Sequence, residues 1–278
     1  MHPIVNHLVQ LQELTLIRDE QKVARKGKNL EELNDSIAKM TEQLPHDVRA
    51  RFTKLHKKDH IFIVPITANG CAACGMKVPV SLVQAVRIGQ EMHSCPNCAR
   101  LLYYPEVAPR RIASTPRKTA PKKVGVSRFS SHTLMVPRLE SADMEGVIGE
   151  LAYKMEKEGF VDKADKLVEA AIRREAIVST AVDHGLAFPH VRGVEGGGLT
   201  AALGISRKGI KFGGSYKTLT RIVFFVVIPM AASAFYLKLL SGLTEAFMKK
   251  EARQALMAER DPEKLWKALV KTTRATVK

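Results

Sequence analysis

Aromatic side chains are scarce in this sequence. They make up 6% of 278 residues, with a single Trp, which disfavours a binder that grips nucleic-acid bases by successive stacking. Long apolar runs are missing too. The longest nearly apolar stretch, Ile222 to Phe235, is interrupted by Pro229 and Ser233 and falls short of the roughly 20 residues a membrane-spanning helix needs; it reads as a buried strand running into the next element. The amino terminus, Met1-His2-Pro3-Ile4-Val5-Asn6, has no basic start, apolar core or small-residue cleavage site, so no export signal is expected. There are only four cysteines. Without an export signal, they point to a metal before disulfides. The expectation is a cytoplasmic protein with no membrane span.

The length exceeds what one hydrophobic core usually serves, which predicts two domains. Lys and Arg number 44 against 28 Asp and Glu, a net charge of +16. That excess is uneven: residues 105–138 hold 8 cations and 1 acid, whereas 1–104 hold 14 and 10, and 139–278 hold 22 and 17. Residues 105–138 also contain five prolines and no hydrophobic period, so they read as a flexible basic linker. Arg110-Arg111, Arg117-Lys118 and Lys122-Lys123 offer non-specific contacts to nucleic-acid phosphates.

Ahead of the linker, Ile4, Leu8 and Leu11 open an apolar stripe, and Leu30, Leu33, Ile37, Met40 and Leu44 alternate at three and four. This is the seam of a coiled coil or an antiparallel helical pair, closed within the chain or with a second copy as a homodimer. Pro45 precedes a second helical segment, about Asp47 to Lys58. Ile61 to Ile66 then reads as a strand leading into Cys71-Ala72-Ala73-Cys74, and Cys95-Pro96-Asn97-Cys98 comes twenty residues later. Each C-x2-C is a knuckle whose thiolates reach one ion, and two knuckles close a tetrahedral site with no open position. Cys71, Cys74, Cys95 and Cys98 are thus the expected ligands of a structural metal, with Zn2+ favoured by four soft donors. The order helix, strand, knuckle, insert, then Cys95-Pro96-Asn97-Cys98-Ala99-Arg100-Leu101-Leu102-Tyr103, resembles the four-cysteine zinc-ribbon proteins with an amino-terminal helical hairpin. That resemblance implies an adaptor or nucleic-acid-binding role.

After the linker, helical patterns at Met144–Glu158 and Asp162–Ile177 precede strands at Leu199–Ser206 and Arg221–Ile228. Helices at Ser233–Phe247 and Asp261–Thr272 close the chain. This is an α/β domain. Within it, Gly185-Leu186-Ala187-Phe188-Pro189-His190-Val191-Arg192 holds a histidine behind a proline, where the ring is oriented rather than mobile. Neutral imidazole is a competent nucleophile for phosphorus, and transfer needs cations, hydroxyls and N–H groups around the developing charge. Arg174, Ser179, Thr180, Gly193 and Gly196 to Gly198 offer those types.

The series "RE", "ST", "G-x-A-x-P-H-x-R" and "A-L-G-I-S-R-K-G-I-K-F-G-G", followed by the strand at 222–228, resembles the enzyme IIA domain of the sugar phosphotransferase system, fructose/mannitol class. Nitrogen-regulatory IIA proteins belong to the same class. The resemblance implies a mixed sheet with flanking helices. It makes His190 the phosphoryl acceptor from the carrier protein HPr, and it sets Arg174 beside the site. Ser179, Thr180 and Arg192 become phosphate-binding residues. Where the family often has a second histidine, this sequence has Tyr236, which donates a hydrogen bond but carries no charge. The organisation expected is a helical coiled-coil segment at 1–60, a zinc ribbon at 61–104, the linker at 105–138 and an α/β IIA-like domain at 139–278. Its function is phosphoryl transfer or phospho-sensing toward an unidentified downstream protein target. The alternative is a zinc-ribbon adaptor or nucleic-acid-binding regulator that retains the IIA fold without phosphorylation.

Overall fold

The computed structural model describes residues 3–25, 30–57, 59–67, 69–104, 124–194, 199–212, 218–229 and 232–277. The chain divides into two compact units, Met1–Ala108 and Pro109–Lys278. Among the described residues no helix is long and apolar enough to cross a membrane.

The first unit starts with α1 (Pro3–Arg25), α2 (Glu31–Glu42) and α3 (His46–His56). The apolar seam closes within the chain. His7 near the start of α1 donates from Nε2 to the Met40 carbonyl near the end of α2, at 2.7 Å, so the two helices run antiparallel. Leu8 and Leu11 of α1 share one core with Ile37, Val48 and Phe52 and with Phe62, Ile63 and Leu101 of the ribbon. Segments expected as separate pieces, 1–60 and 61–104, thus share one apolar interior. Phe62 meets Phe52 edge-on with ring centroids 4.6 Å apart, and deleting such a buried ring costs about 3–5 kcal/mol. The Gln12 side-chain oxygen accepts the N–H groups of Phe62 and Ile63 at 2.8 and 3.0 Å. This satisfies backbone donors that would otherwise be buried alone.

Three short strands complete the unit: β1 (Ile63–Thr67), β2 (Gly70–Cys71) and β3 (Leu101–Tyr103), with β1 central, antiparallel to β2 and parallel to β3. The insert between the knuckles forms α4 (Val80–Ile88), which starts after Pro79 and stops at Gly89 in the left-handed conformation. Val83 and Val86 are its buried face.

The second unit begins earlier than the expected boundary at 139. Residues 105–123 of the expected linker lie outside the described residues, but 124–138 are built into the unit. A 3-10 turn at Gly125–Arg128 and another at His132–Leu134 lead into β4 (Met135–Val136), which pairs in parallel with Leu203-Gly204. The physical reason is burial: Leu134 and Met135 are 0% and 2% exposed, so this segment carries core residues despite its flanking Pro and Arg.

The six-stranded sheet is mixed. Besides β4 it holds β5 (Ala181–Val182), β6 (Leu186–Ala187), β7 (His190–Val194), β8 (Thr200–Ile210) and β9 (Thr220–Pro229). Its order is β4-β8-β9-β6-β5, with β7 also on β9. The antiparallel β8–β9 hairpin is the spine, and β9 reads as continuous apolar sequence because both its faces are covered. Strands β6 and β7 pair in parallel along β9, Leu186 with Ile222 and His190 with Val226, separated by Phe188 and Pro189. Around the sheet lie α5 (Met144–Lys157), α6 (Ala164–Ile177), α7 (Ser233–Met248), α8 (Lys250–Ala258) and α9 (Pro262–Thr273). Asp143 caps α5 by accepting the Gly146 N–H. Asp261 caps α9 through Lys264, with Pro262 in the first turn. The α/β class with a mixed sheet and flanking helices, preceded by a helical and four-cysteine segment, is the architecture expected from the sequence.

Candidate functional site

Two sites arise from different kinds of local structure. In the first unit, both knuckles are built on the same pair of backbone hydrogen bonds. Gly75 N–H donates to Cys71 O at 2.8 Å and Cys71 N–H to Met76 O at 2.9 Å. Ala99 N–H donates to Cys95 O at 2.9 Å and Cys95 N–H to Arg100 O at 2.8 Å. The turn residue is left-handed in each case, φ +73° at Gly75 and +61° at Ala99. These turns place Cys71, Cys74, Cys95 and Cys98 with their sulfurs within 4.8 Å of one another. Two of the separations, Cys71–Cys98 and Cys74–Cys95, are 3.7 and 3.8 Å. A tetrahedral ion with bonds near 2.3 Å needs sulfurs about 3.8 Å apart, so the four thiols can hold one metal. Burial pushes the Cys71 thiol up to about 12. Burial opposes ionisation at Cys74 as well, but hydrogen bonds from the Met76 backbone, Asn97 and neighbouring thiols bring it down to about 6. Arg100 donates to Ile61 O at 2.8 Å and to Asp59, tying the second knuckle to the segment that leads into β1.

In the second unit the site is assembled from residues far apart in sequence. His190 opens β7, and Arg192, two residues on, faces the same side of the strand. Tyr236, in the first turn of α7, lies on that side. Its ring centroid is 4.9 Å from that of His190, and the Arg192 guanidinium carbon sits 5.0 Å over its centroid. His190 and Tyr236 are each 1% exposed. His190 Nδ1 is 2.9 Å from Phe188 O and 3.1 Å from Tyr236 Oη. A carbonyl only accepts, so Nδ1 carries the proton and donates to Phe188, with Tyr236 Oη accepting a share. The neutral ring then has its lone pair on Nε2. Phe188 itself stacks on Phe224 at 5.5 Å, which fixes the carbonyl that holds the ring.

A run of hydrogen bonds extends from this histidine to α6. Phe188 N–H donates to Thr180 O at 3.3 Å. Thr180 N–H donates to Glu175 Oε2 at 2.9 Å, and the Thr180 hydroxyl donates to the same carboxylate. Burial raises the Glu175 carboxyl above its ordinary value, opposed by the Thr180 hydrogen bonds and by Arg174. Arg174, buried in the last turn of α6, donates from Nη1 to Val178 O at 2.8 Å, and α6 packs on β7.

The structure thus brings both His190 and Arg192 against Tyr236 and places Arg174 in the adjoining helix. Ser179 and Thr180 stand differently from the phosphate-facing expectation. The Ser179 hydroxyl donates to Phe212 O at 2.8 Å and that of Thr180 to Glu175, so in this state both shape the 178–181 loop. Gly193 is left-handed at φ +76°, while Gly196, Gly197 and Gly198 lie outside the described residues. Sequence reasoning missed Glu175 as the carboxylate that organises this loop; the adjoining Arg174-Glu175 pair was its only local signal.

Comparison with known proteins separates the same two parts. Residues 129–272 match the family "Phosphoenolpyruvate-dependent sugar phosphotransferase system, EIIA 2", and residues 71–102 match the "C4-type zinc ribbon domain". The fructose-specific EIIABC component of the phosphotransferase system from Bacillus subtilis is 27% identical over 129 residues, 46% of this chain and 20% of that protein. The match therefore spans about a fifth of that relative's length. The fructose-specific EIIA component from Haloferax volcanii is 28% identical over 116 residues, 42% of this chain and 75% of that protein. Among solved structures, nitrogen regulatory protein IIA-Ntr from Neisseria meningitidis aligns with a TM-score of 0.47 and 23% identity, covering 51% of this chain and 96% of that one.

Proposed function

The chain belongs to the EIIA 2 family of the phosphoenolpyruvate-dependent sugar phosphotransferase system, and we propose that within it His190 is the residue that accepts and returns a phosphoryl group. The single observation that carries this reading is the bond from His190 Nδ1 to Phe188 O. It orients the ring and leaves the lone pair on Nε2, as a nucleophile requires. In the proposed step the Nε2 lone pair forms the new bond to phosphorus while the bond from phosphorus to the carrier's donor atom breaks. No proton moves, because Nδ1–H stays on Phe188 and Tyr236. The ring becomes cationic, and the Phe188 carbonyl and Tyr236 oxygen stabilise that charge. Arg192, whose guanidinium lies over the Tyr236 ring, is the cation proposed for the phosphoryl oxygens, with Arg174 behind the 178–181 loop. An HPr-like phosphocarrier is the donor this reading requires.

The fusion to a zinc ribbon favours a regulatory role, in which the phosphorylation state of the second unit is reported to a protein held by the first. Zn2+ would be bound by Cys71, Cys74, Cys95 and Cys98, closing the two knuckles on each other with no position left for substrate. The chain's own residues supply the framework, and the metal supplies cross-linking, not catalysis.

Two observations favour a second reading. His190 is 1% exposed, and Tyr236 is neutral where the family often has a histidine, so an adaptor that keeps the fold without transfer is the competing account. The two are separated by incubating the protein with phosphoenolpyruvate, enzyme I and HPr and measuring intact mass under mild alkali. Transfer predicts an acid-labile gain of about 80 Da, one phosphate, absent from His190→Ala. If a related IIA protein is labelled in the same tube while this one is not, the adaptor reading stands.

A further inference from the structure

The phosphoryl site uses one end of the six-stranded sheet, and the other end carries a basic cleft. Ala201 of β8 and His190 of β7 both pair with Val226. From Ala201 the strand runs five residues, roughly 17 Å at the usual rise, before reaching Ser206 at the edge of the cleft. The cleft has a volume of about 700 Å³ and lies between the 137–142 segment, the Ser206–Gly209 turn and Arg260. Its charged lining is Arg138, Arg207, Lys208 and Arg260 against one acid, Glu140, which is paired with Arg138 at 3.4 Å. Arg207 is held in place by the carbonyls of Met257 and Glu259.

The positive charge resumes along α9, whose first residue is two after Arg260, past the exposed Asp261 and Glu263 at its start. From Lys264 to the last residue of the sequence there is no Asp or Glu. Lys264, Lys267, Lys271 and Arg274 are all exposed and fall within an arc of about 80° at 3.6 residues per turn. Leu265, Leu269 and Thr273, on the opposite side, are buried. Lys264 and Arg274 lie ten residue steps apart, about 15 Å along the axis. The far end of this track meets the start of the unit: a Cβ at Gly125 would come within 3.1 Å of Val277 O.

We propose that this face, the cleft together with the exposed side of α9, binds the phosphate backbone of a nucleic-acid duplex without sequence preference. Such interfaces are polar and strongly positive, and a duplex offers one charge per about 1.7 Å of axis, so cations at helical spacing find phosphates in any register. A track of cations along one exposed helix face meets phosphates whatever the bases, which leaves it indifferent to sequence. A single strand would want stacking platforms, but Trp266, the one aromatic of α9, is half-buried off the stripe. Insertion into a membrane needs an apolar face, and that of α9 is packed into its own domain. An acidic protein would want an apolar or aromatic anchor at the centre, whereas the stripe offers only Val270 at its edge, 37% exposed. None of these residues takes part in the phosphoryl step, so this proposal and that one fail separately.

The test is fluorescence anisotropy of the full-length protein with a fluorescein-labelled DNA duplex of mixed sequence, about two helical turns long, titrated between about 50 and 200 mM salt. Neutralising Lys264, Lys267, Lys271 and Arg274 to Gln is expected to weaken low-salt binding at least about tenfold. It should also flatten the plot of log K against log salt by about 3 to 4, at about 0.9 per lost phosphate contact. Arg51, Lys54, Lys157 and Lys166, equally exposed, serve as a charge-matched control that should stay within about twofold of the parent. Absence of duplex binding by the parent overturns the proposal. So does an equal loss in the control set, unchanged binding by the stripe variant, or tighter capture by anionic phospholipid vesicles than by duplex.

Discussion

The two sites of this molecule are built in opposite ways. The four sulfurs of the first unit are placed by two short turns, each closed by hydrogen bonds within six residues. The His190 site draws on α6, β7 and α7, and its ring is positioned through Phe188, Thr180 and Glu175. A site made of local turns tolerates change elsewhere in its unit and fails when one ligand goes. A site made of a relay of buried groups is exposed to damage at residues that never touch the reacting atom. The contrast also sets what each could do: the four thiols can hold one ion, while the role proposed for His190 rests on which ring nitrogen carries the proton.

The sharpest way to break this contrast is to remove one ligand. Cys95→Ser is expected to lower metal content by more than about tenfold and to abolish the unfolding transition of the first unit, since metal binding and folding are one event in such small sites. The transition of the second unit should persist. Metal analysis and calorimetry of the full chain check both.

A smaller loss is expected at Glu175. Glu175→Ala leaves the buried Thr180 N–H without its acceptor, a cost of about 2–3 kcal/mol, read as a drop in the second unit's denaturation midpoint. Burial raises this carboxyl, so the folded state keeps its proton to higher pH than the unfolded chain. Its contribution to stability is complete below the ordinary value of 4.5 and is lost as pH rises through the folded value. Glu175→Gln should therefore flatten the fall in stability above pH 4.5; an unchanged slope would show that the carboxyl does not titrate there.

The two knuckles sharpen the comparison within the first unit. Ala99 occupies the left-handed position that Gly75 fills in its twin, and an L side chain pays about 1 kcal/mol there. Ala99→Gly should raise the first unit's midpoint by a few degrees, while Gly75→Ala should lower it. The smallest effect is expected at Tyr236: Tyr236→Phe removes a neutral hydrogen-bond partner worth about 0.5–1.5 kcal/mol. Phosphorylation should slow by about two- to tenfold, with stability changed by no more than that energy.

Much of this was legible because it is local. The C-x2-C pairs and the helix start at Asp261 are short-range signals, and α5, α6 and α9 were expected within two residues of their observed limits. What escaped was set by tertiary context. Strands of two residues such as β4 and β5 carry no period. Continuity with the Pro-rich basic stretch at 105–123 hid Leu134 and Met135, which the second unit buries. Helix α4 did carry signals, Pro79 before it and Gly89 after it, but it sat inside an insert read only as the spacing between cysteines. In the His190 site the box itself was readable. Glu175, five residues from Thr180 across a loop, and the nitrogen that carries the proton were not, because both depend on which carbonyl and carboxylate the fold brings near.

The most direct test of the account is nitrogen NMR of the phosphorylated protein labelled with 15N-histidine. The geometry at Phe188 predicts phosphorus coupling at Nε2 of His190, with Nδ1 still protonated. Coupling at Nδ1, or phosphate on another residue, would contradict it.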